Sequence, residues 1–179
     1  MENNEDGEIP KLNELLTTEP IKNSNNISKI TDKIYLGDEE GAKDLEFFKN
    51  EQIHHVLSII PTPPTFPEDM NIELKNLDMD QCPTINIIFY IKECAQFIDK
   101  ADKIYIHCEC GVNRSPAILI GYLMWKTHSS YDDVFEFVKK RRDCIELNNL
   151  FIIQLNKFQK LLKNNDYNLN NIEIKKKSK

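Results

Sequence analysis

The sequence predicts an α/β fold: a single domain built on a central twisted, mostly parallel sheet of about four to five strands flanked by helices. Two observations carry this expectation. Short β-branched runs alternate with longer segments of helical period, an alternation that packs helices on the faces of a sheet. The chain has 179 residues, 40% hydrophobic and 29% charged, which suits one compact domain with loose ends.

Taken in order, residues 1–26 hold six acids (Glu2, Glu5, Asp6, Glu8, Glu14, Glu19), two lysines and many Asn. With little to bury, they read as disordered apart from a helical turn around Leu12 to Leu16. The folded domain is placed at 27–163. Lys33–Leu36 (KIYL) and His55–Ile60 (HVLSII) read as strands, separated by a helix over Glu39–Lys49. A Pro-rich loop at 61–67 precedes a shorter strand, Ile72–Asn76. A long helix from about Thr84 to Asp102 carries Ile87, Ile88, Ile91, Cys94, Ala95 and Ile98 as one apolar stripe. Lys103–His107 (KIYIH) reads as a buried strand. Three helices follow: Ser115–Thr127, Tyr131–Arg142 behind a Ser130 cap, and Asn148–Lys163 with Asn148 as cap. Residues 164–179 form a polar, lysine-ending tail read as solvated.

Composition removes several function classes. No stretch approaches the roughly 18–20 apolar residues that cross a bilayer. The opening MENNEDGEIP has neither a basic start nor an apolar middle. Glu2 stands where an N-terminal lipid signal needs glycine, and Lys179 where a C-terminal one needs its cysteine motif. The expected address is therefore cytoplasmic, with the nucleus as alternative, and no membrane partner is expected. A net charge of −6 speaks against a nucleic-acid partner, which calls for a basic footprint. Five cysteines (Cys82, Cys94, Cys108, Cys110, Cys144) fit a reducing compartment, where a special cysteine is catalytic more often than structural. His54 and His55 start a strand on opposite faces and cannot share a metal. No metal or other cofactor is expected, and the chain is expected to be a monomer.

The segment that carries chemistry is KIYIHCECGVNRSPAILIGYLMW, residues 103–125. An apolar strand ends at His107, a short loop runs from Cys108 to Arg114, and a helix starts at Ser115–Pro116. Pro suits the first helical turn because its missing N–H would be unpaired there. The loop thus sits on a helix N-terminus, where free amides and the dipole attract anions. Gly111 lets the backbone curl so that several N–H groups converge. Arg114 adds a planar fork matching two phosphate oxygens. The residue types together predict an anion site with Cys108 beneath it. Helix N-termini and nearby cations favour thiolate over thiol, so the field that holds phosphate makes Cys108 a nucleophile aimed at phosphorus. Ser115 is placed to donate a hydrogen bond to the sulfur. Cys-x5-Arg alone is a weak signal; His before, Gly inside, Ser after and the strand–loop–helix setting make it specific.

HCECGVNRSPA resembles the signature loop, H-C-x5-R-S, of the dual-specificity branch of the protein tyrosine phosphatases. The resemblance covers roughly residues 28–163. TDKIYLGDEEGAKD is similar to the family's first strand and turn, IHHVLSI to its second strand, and RRDCIELNNLF to its late Pro-Asn motif. It implies a protein tyrosine phosphatase-like fold and hydrolysis of phosphotyrosine and phosphoserine or phosphothreonine in protein substrates. Cys108 is implied as nucleophile and Arg114 as phosphate ligand. The amides of Glu109, Cys110, Gly111, Val112, Asn113 and Arg114 would cradle the phosphate, with His107 and Asn148 bracing the loop. This chain departs from the pattern at Cys110, where a small residue is usual, at Asn113, often Ser, and at Leu147, usually Pro.

The leaving oxygen needs a proton, and Asp78 and Asp80 are the candidates. In related sequences the acid lies about five residues before the Asn or hydrophobic pair that starts the next helix. Counting back from Asn86 lands on Gln81, so a one-residue insertion makes Asp80 the expected general acid. Cys110 is expected to be a packing residue rather than a resolving thiol, because an i, i+2 disulfide would strain the loop. Cys82, Cys94 and Cys144 are expected to pack in the core. The alternatives are a phosphoinositide or RNA 5′-phosphatase using the same loop, or a phosphoprotein-binding pseudophosphatase with weak turnover. The loop has one acid and no base between Cys108 and Arg114, which disfavours a densely anionic lipid.

Overall fold

The computed structural model describes residues 10–15, 26–79 and 85–163. Its sheet has five strands: β1 (Ile27–Lys29), β2 (Ile34–Gly37), β3 (His55–Ser58), β4 (Glu73–Asn76) and β5 (Ile104–His107). Their spatial order is β1-β2-β5-β3-β4. β1 and β2 form an antiparallel hairpin, whose connection is held by Thr31 Oγ1 accepting from the N–H groups of Lys33 and Ile34. All other pairings are parallel. The expected α/β fold with a mostly parallel sheet is thus what the chain adopts.

β5 comes last in sequence and lies in the middle, between β2 and β3. All four of its residues are buried, as its apolar reading required. Alternation sorts the two faces. Ile34, Leu36, Leu57, Ile104 and Ile106 join the large core under the C-terminal helices. Tyr35, Val56 and Tyr105 join a smaller aromatic core with Phe48.

The first helix differs from expectation. In place of one helix over 39–49 there is a short 3-10 turn, Gly41–Lys43, and then α1 (Leu45–Glu51). Asp44 causes the break: its carboxylate accepts the N–H of Phe47 at 3.0 Å, so it caps a new helix instead of continuing an old one. α2 (Ile87–Lys100) starts behind Asn86, whose Oδ1 accepts from Ile88 N; Thr84, the expected start, lies outside the described residues. α3 (Arg114–Thr127) is buried around nearly its whole circumference. At Gly121 a Cβ would stand 2.2 Å from Ile91 Cδ1, so glycine permits the close approach of α2 to α3. α4 (Tyr131–Lys139) is capped by Ser130 as expected but stops before Arg142. The chain turns there because Arg142 is drawn inward. α5 (Asn149–Lys163) is capped by Asn148, whose Oδ1 accepts from Phe151 N at 2.8 Å. A 3-10 turn at Leu12–Leu15 packs Leu12 and Leu15 against the large core, and Leu15 O accepts from Asp32 N.

Candidate active site

The central strand delivers the chain to the carboxyl edge of the sheet, where crevices between strand ends hold ligands in parallel folds. β5 ends at His107, residues 108–113 turn, and α3 begins at Arg114. Peptide N–H groups can converge inside such a turn only if the carbonyls face outward, and outward carbonyls buried in protein need donors. Here they have them. Glu109 O accepts from Glu39 N at 3.2 Å, Val112 O from Glu146 N at 2.9 Å, and Asn113 O from Ala117 N at 3.1 Å. Gly111 O accepts from Arg142 Nε at 2.9 Å. Among the described residues, no backbone N–H of 109–113 is bonded to a backbone acceptor. These donors remain available for an oxyanion.

Gly111 makes the curl. Its φ is +63°, and a Cβ there would lie 2.4 Å from Gly37 O and 2.7 Å from Arg142 Nη2. Both the left-handed backbone and the contact demand glycine.

Cys108 is buried beneath the turn, and Ser115 Oγ donates to its sulfur at 3.2 Å. Ser115 is fully enclosed, so this contact is fixed by packing. The Arg114 side chain is only 8% exposed, and Nη2 lies 3.1 Å from Glu109 Oε2. His107 is completely buried, with Nδ1 3.4 Å from Cys108 O. A carbonyl only accepts, so Nδ1 carries the proton. Burial pushes the His107 pKa down to about 4, against a smaller upward pull from that carbonyl, and the ring is neutral near pH 7. It stacks on Tyr105 at 5.5 Å between centroids.

A family model for the dual specificity phosphatase catalytic domain matches residues 34–161. The chain belongs to this family. Dual specificity phosphatase is the enzymatic class that the sequence implied. The Arabidopsis thaliana protein-tyrosine-phosphatase MKP1 is 32% identical over 139 residues, 74% of this chain but 18% of its own length. Dual specificity protein phosphatase 1B of the same plant is 29% identical over 150 residues, 81% of this chain and 89% of that one. Among solved structures, DUSP15 superposes with a TM-score of 0.68 at 27% identity, covering 79% of this chain and 97% of that one. The chain thus corresponds to less than a fifth of the first relative and nearly all of the second.

Within this dual specificity phosphatase domain, Ser115 reaches the Cys108 sulfur, His107 reaches the Cys108 carbonyl, and Arg114, at the far end of the loop 109–113, reaches Glu109. Asn148 meets the loop in reverse of expectation: its N–H donates to Asn113 Oδ1 at 2.9 Å, so the Asn113 side chain does the bracing while the Asn148 side chain caps α5. Asp80 and Cys82 lie outside the described residues. Asp78 is exposed between buried Leu77 and Met79. Two cysteines correct the expectation of packing. Cys110 is exposed, because it lies in the short loop between β5 and α3 rather than in either packed element. Cys144 is exposed as well, because it lies in the turn that follows α4. Cys94 is buried as expected, and burial pushes its thiol far up.

Sequence reasoning missed Arg142, Glu39 and Glu146, whose N–H groups hold the loop's carbonyls. It also missed Gln154, whose side chain accepts from Ile87 N and donates to Ile85 O, both at 2.7 Å. It thereby ties α5 to the segment that enters α2.

Proposed function

We propose that this domain hydrolyses phosphotyrosine and phosphoserine or phosphothreonine in proteins through a phosphocysteine on Cys108, without a metal. The observation that carries the reading is a loop whose N–H groups at 109–113 meet no backbone acceptor among the described residues, next to a buried Cys108 sulfur that accepts from Ser115. The Cys108 thiolate attacks phosphorus, a P–S bond forms, and the P–O bond to the substrate oxygen breaks. That oxygen takes a proton from the general acid, expected at Asp80 with Asp78 as the alternative; such help is typically worth about 10²–10⁴-fold. Water then attacks phosphorus and gives its proton to the same carboxylate. The P–S bond breaks with Ser115 O–H donating to the departing sulfur, and phosphate leaves. The loop amides and Arg114 hold the equatorial oxygens throughout, where charge concentrates in the transition state.

Glu109 at the loop mouth supports a protein substrate over a densely anionic lipid head group. A cytoplasmic monomer is part of the same reading, motivated by the odd number of cysteines, five, which suits a reducing compartment. The test is turnover of an aryl phosphate in EDTA, its block by vanadate and its loss in Cys108→Ser. Phosphopeptides compared with phosphoinositides then decide the substrate class; preference for the lipid would sink the protein-substrate reading. Among alkyl phosphoesters, Asp80→Ala should lose more than Asp78→Ala.

A further inference from the structure

We infer that Glu109 is a built-in competitor for Arg114, an internal anion that incoming phosphate must dislodge and that weakens the grip on product. The inference rests on the anion-site reading above and adds an affinity-determining residue to it.

Three observations carry it. First, the Arg114 guanidinium is 8% exposed, and among the described residues Glu109 is its one side-chain partner. A nearly buried cation depends strongly on that partner. Second, the contact uses Nη2. A guanidinium offers two forked edges, Nε with Nη2 and Nη1 with Nη2, and both include the atom Glu109 holds. Nη2 carries one N–H on each edge, so the carboxylate takes one of the two, and a phosphate on either edge still comes close to it across the same nitrogen, where two anions repel. Third, the Glu109 side chain is 65% exposed, while its carbonyl is tethered by Glu39 N. Release needs only a side-chain swing into water, with the loop backbone unmoved. A carboxylate that braced the arginine for catalysis would instead be held by further partners.

The opposite roles predict opposite signs. Calorimetric titration of the full chain with inorganic phosphate, at one low ionic strength, is expected to give a Kd lower by about 3–10-fold in Glu109→Gln and Glu109→Ala than in the wild type. Phosphate should also become a correspondingly stronger competitive inhibitor, with KM falling alongside. A Kd that is unchanged or higher in both variants overturns the inference and makes Glu109 a brace. Tighter phosphate binding in the variants, with no phosphopeptide turnover by the wild type, leaves this inference standing and sinks the proposed activity. No binding by any of the three proteins removes both.

Discussion

Two buried arginines flank the same loop, and they are held very differently. Arg142 stands behind it, 3% exposed, donating from Nε to Gly111 O and from Nη1 to Ser28 Oγ at 3.3 Å. Its Nη2 lies 4.0 Å from Asp38 Oδ2. Arg114 stands in front, nearly as buried, against a carboxylate that reaches into water. The difference separates scaffold from site. A guanidinium whose donors go to main chain and hydroxyl is spent on shape, whereas one facing a displaceable anion keeps donors for a ligand. Removing the first should cost folding; altering the second should cost chemistry.

Arg142→Met gives the largest expected effect. It strands Gly111 O and breaks the link between the loop and β1, costing about 3–5 kcal/mol and lowering Tm by roughly 6–20 °C in thermal denaturation. A variant of full stability would erase the distinction. Arg114→Lys sharpens it from the other side. Losing the planar fork should lower kcat/KM by about 10²–10³-fold while Tm moves little, measured on an aryl phosphate and by calorimetric scanning.

His107 tests the loop's floor through pH. Its folded pKa of about 4 lies below the ordinary 6.5, so the unfolded chain binds a proton that the folded ring refuses. Stability from this group is complete above pH 6.5 and is lost as pH falls towards 4, a span of about 3 kcal/mol. Urea denaturation across this window should show His107→Gln missing that slope; parallel profiles would refute a neutral buried ring. The smallest effect is Asn113→Ala. Removing the acceptor for Asn148 N should cost about 1 kcal/mol, together with a modest rise in KM.

Much of this was legible before any coordinates. Strands β2 to β5 begin and end within two residues of where apolar runs and turn residues put them. The strand–loop–helix around Cys108 follows from local signals: an apolar run, Gly111, then Pro116. β1 escaped because Ile27–Lys29 is three residues long after a polar stretch and exists by pairing with β2. The break at Asp44 escaped because a helical period ran across a residue better suited to capping. The groups that hold the loop's carbonyls were invisible for a different reason. Glu39, Arg142 and Glu146 lie 70, 31 and 34 residues from the carbonyls they meet, and no local pattern reports such partners. Glu109 and Arg114 are five apart, so their charges were readable, but which donor the carboxylate would occupy was not.

The late position of β5 in the sequence has a consequence for how the protein assembles. Its neighbours, β2 and β3, lie 70 and 49 residues earlier in register, so the strand under Cys108 pairs only after two long stretches of chain have closed. Ring closures of that size slow folding. A nascent or fragmentary chain that ends before Ile104 therefore has a sheet without its middle, and the Cys108 thiol is placed and sheltered in the same late step.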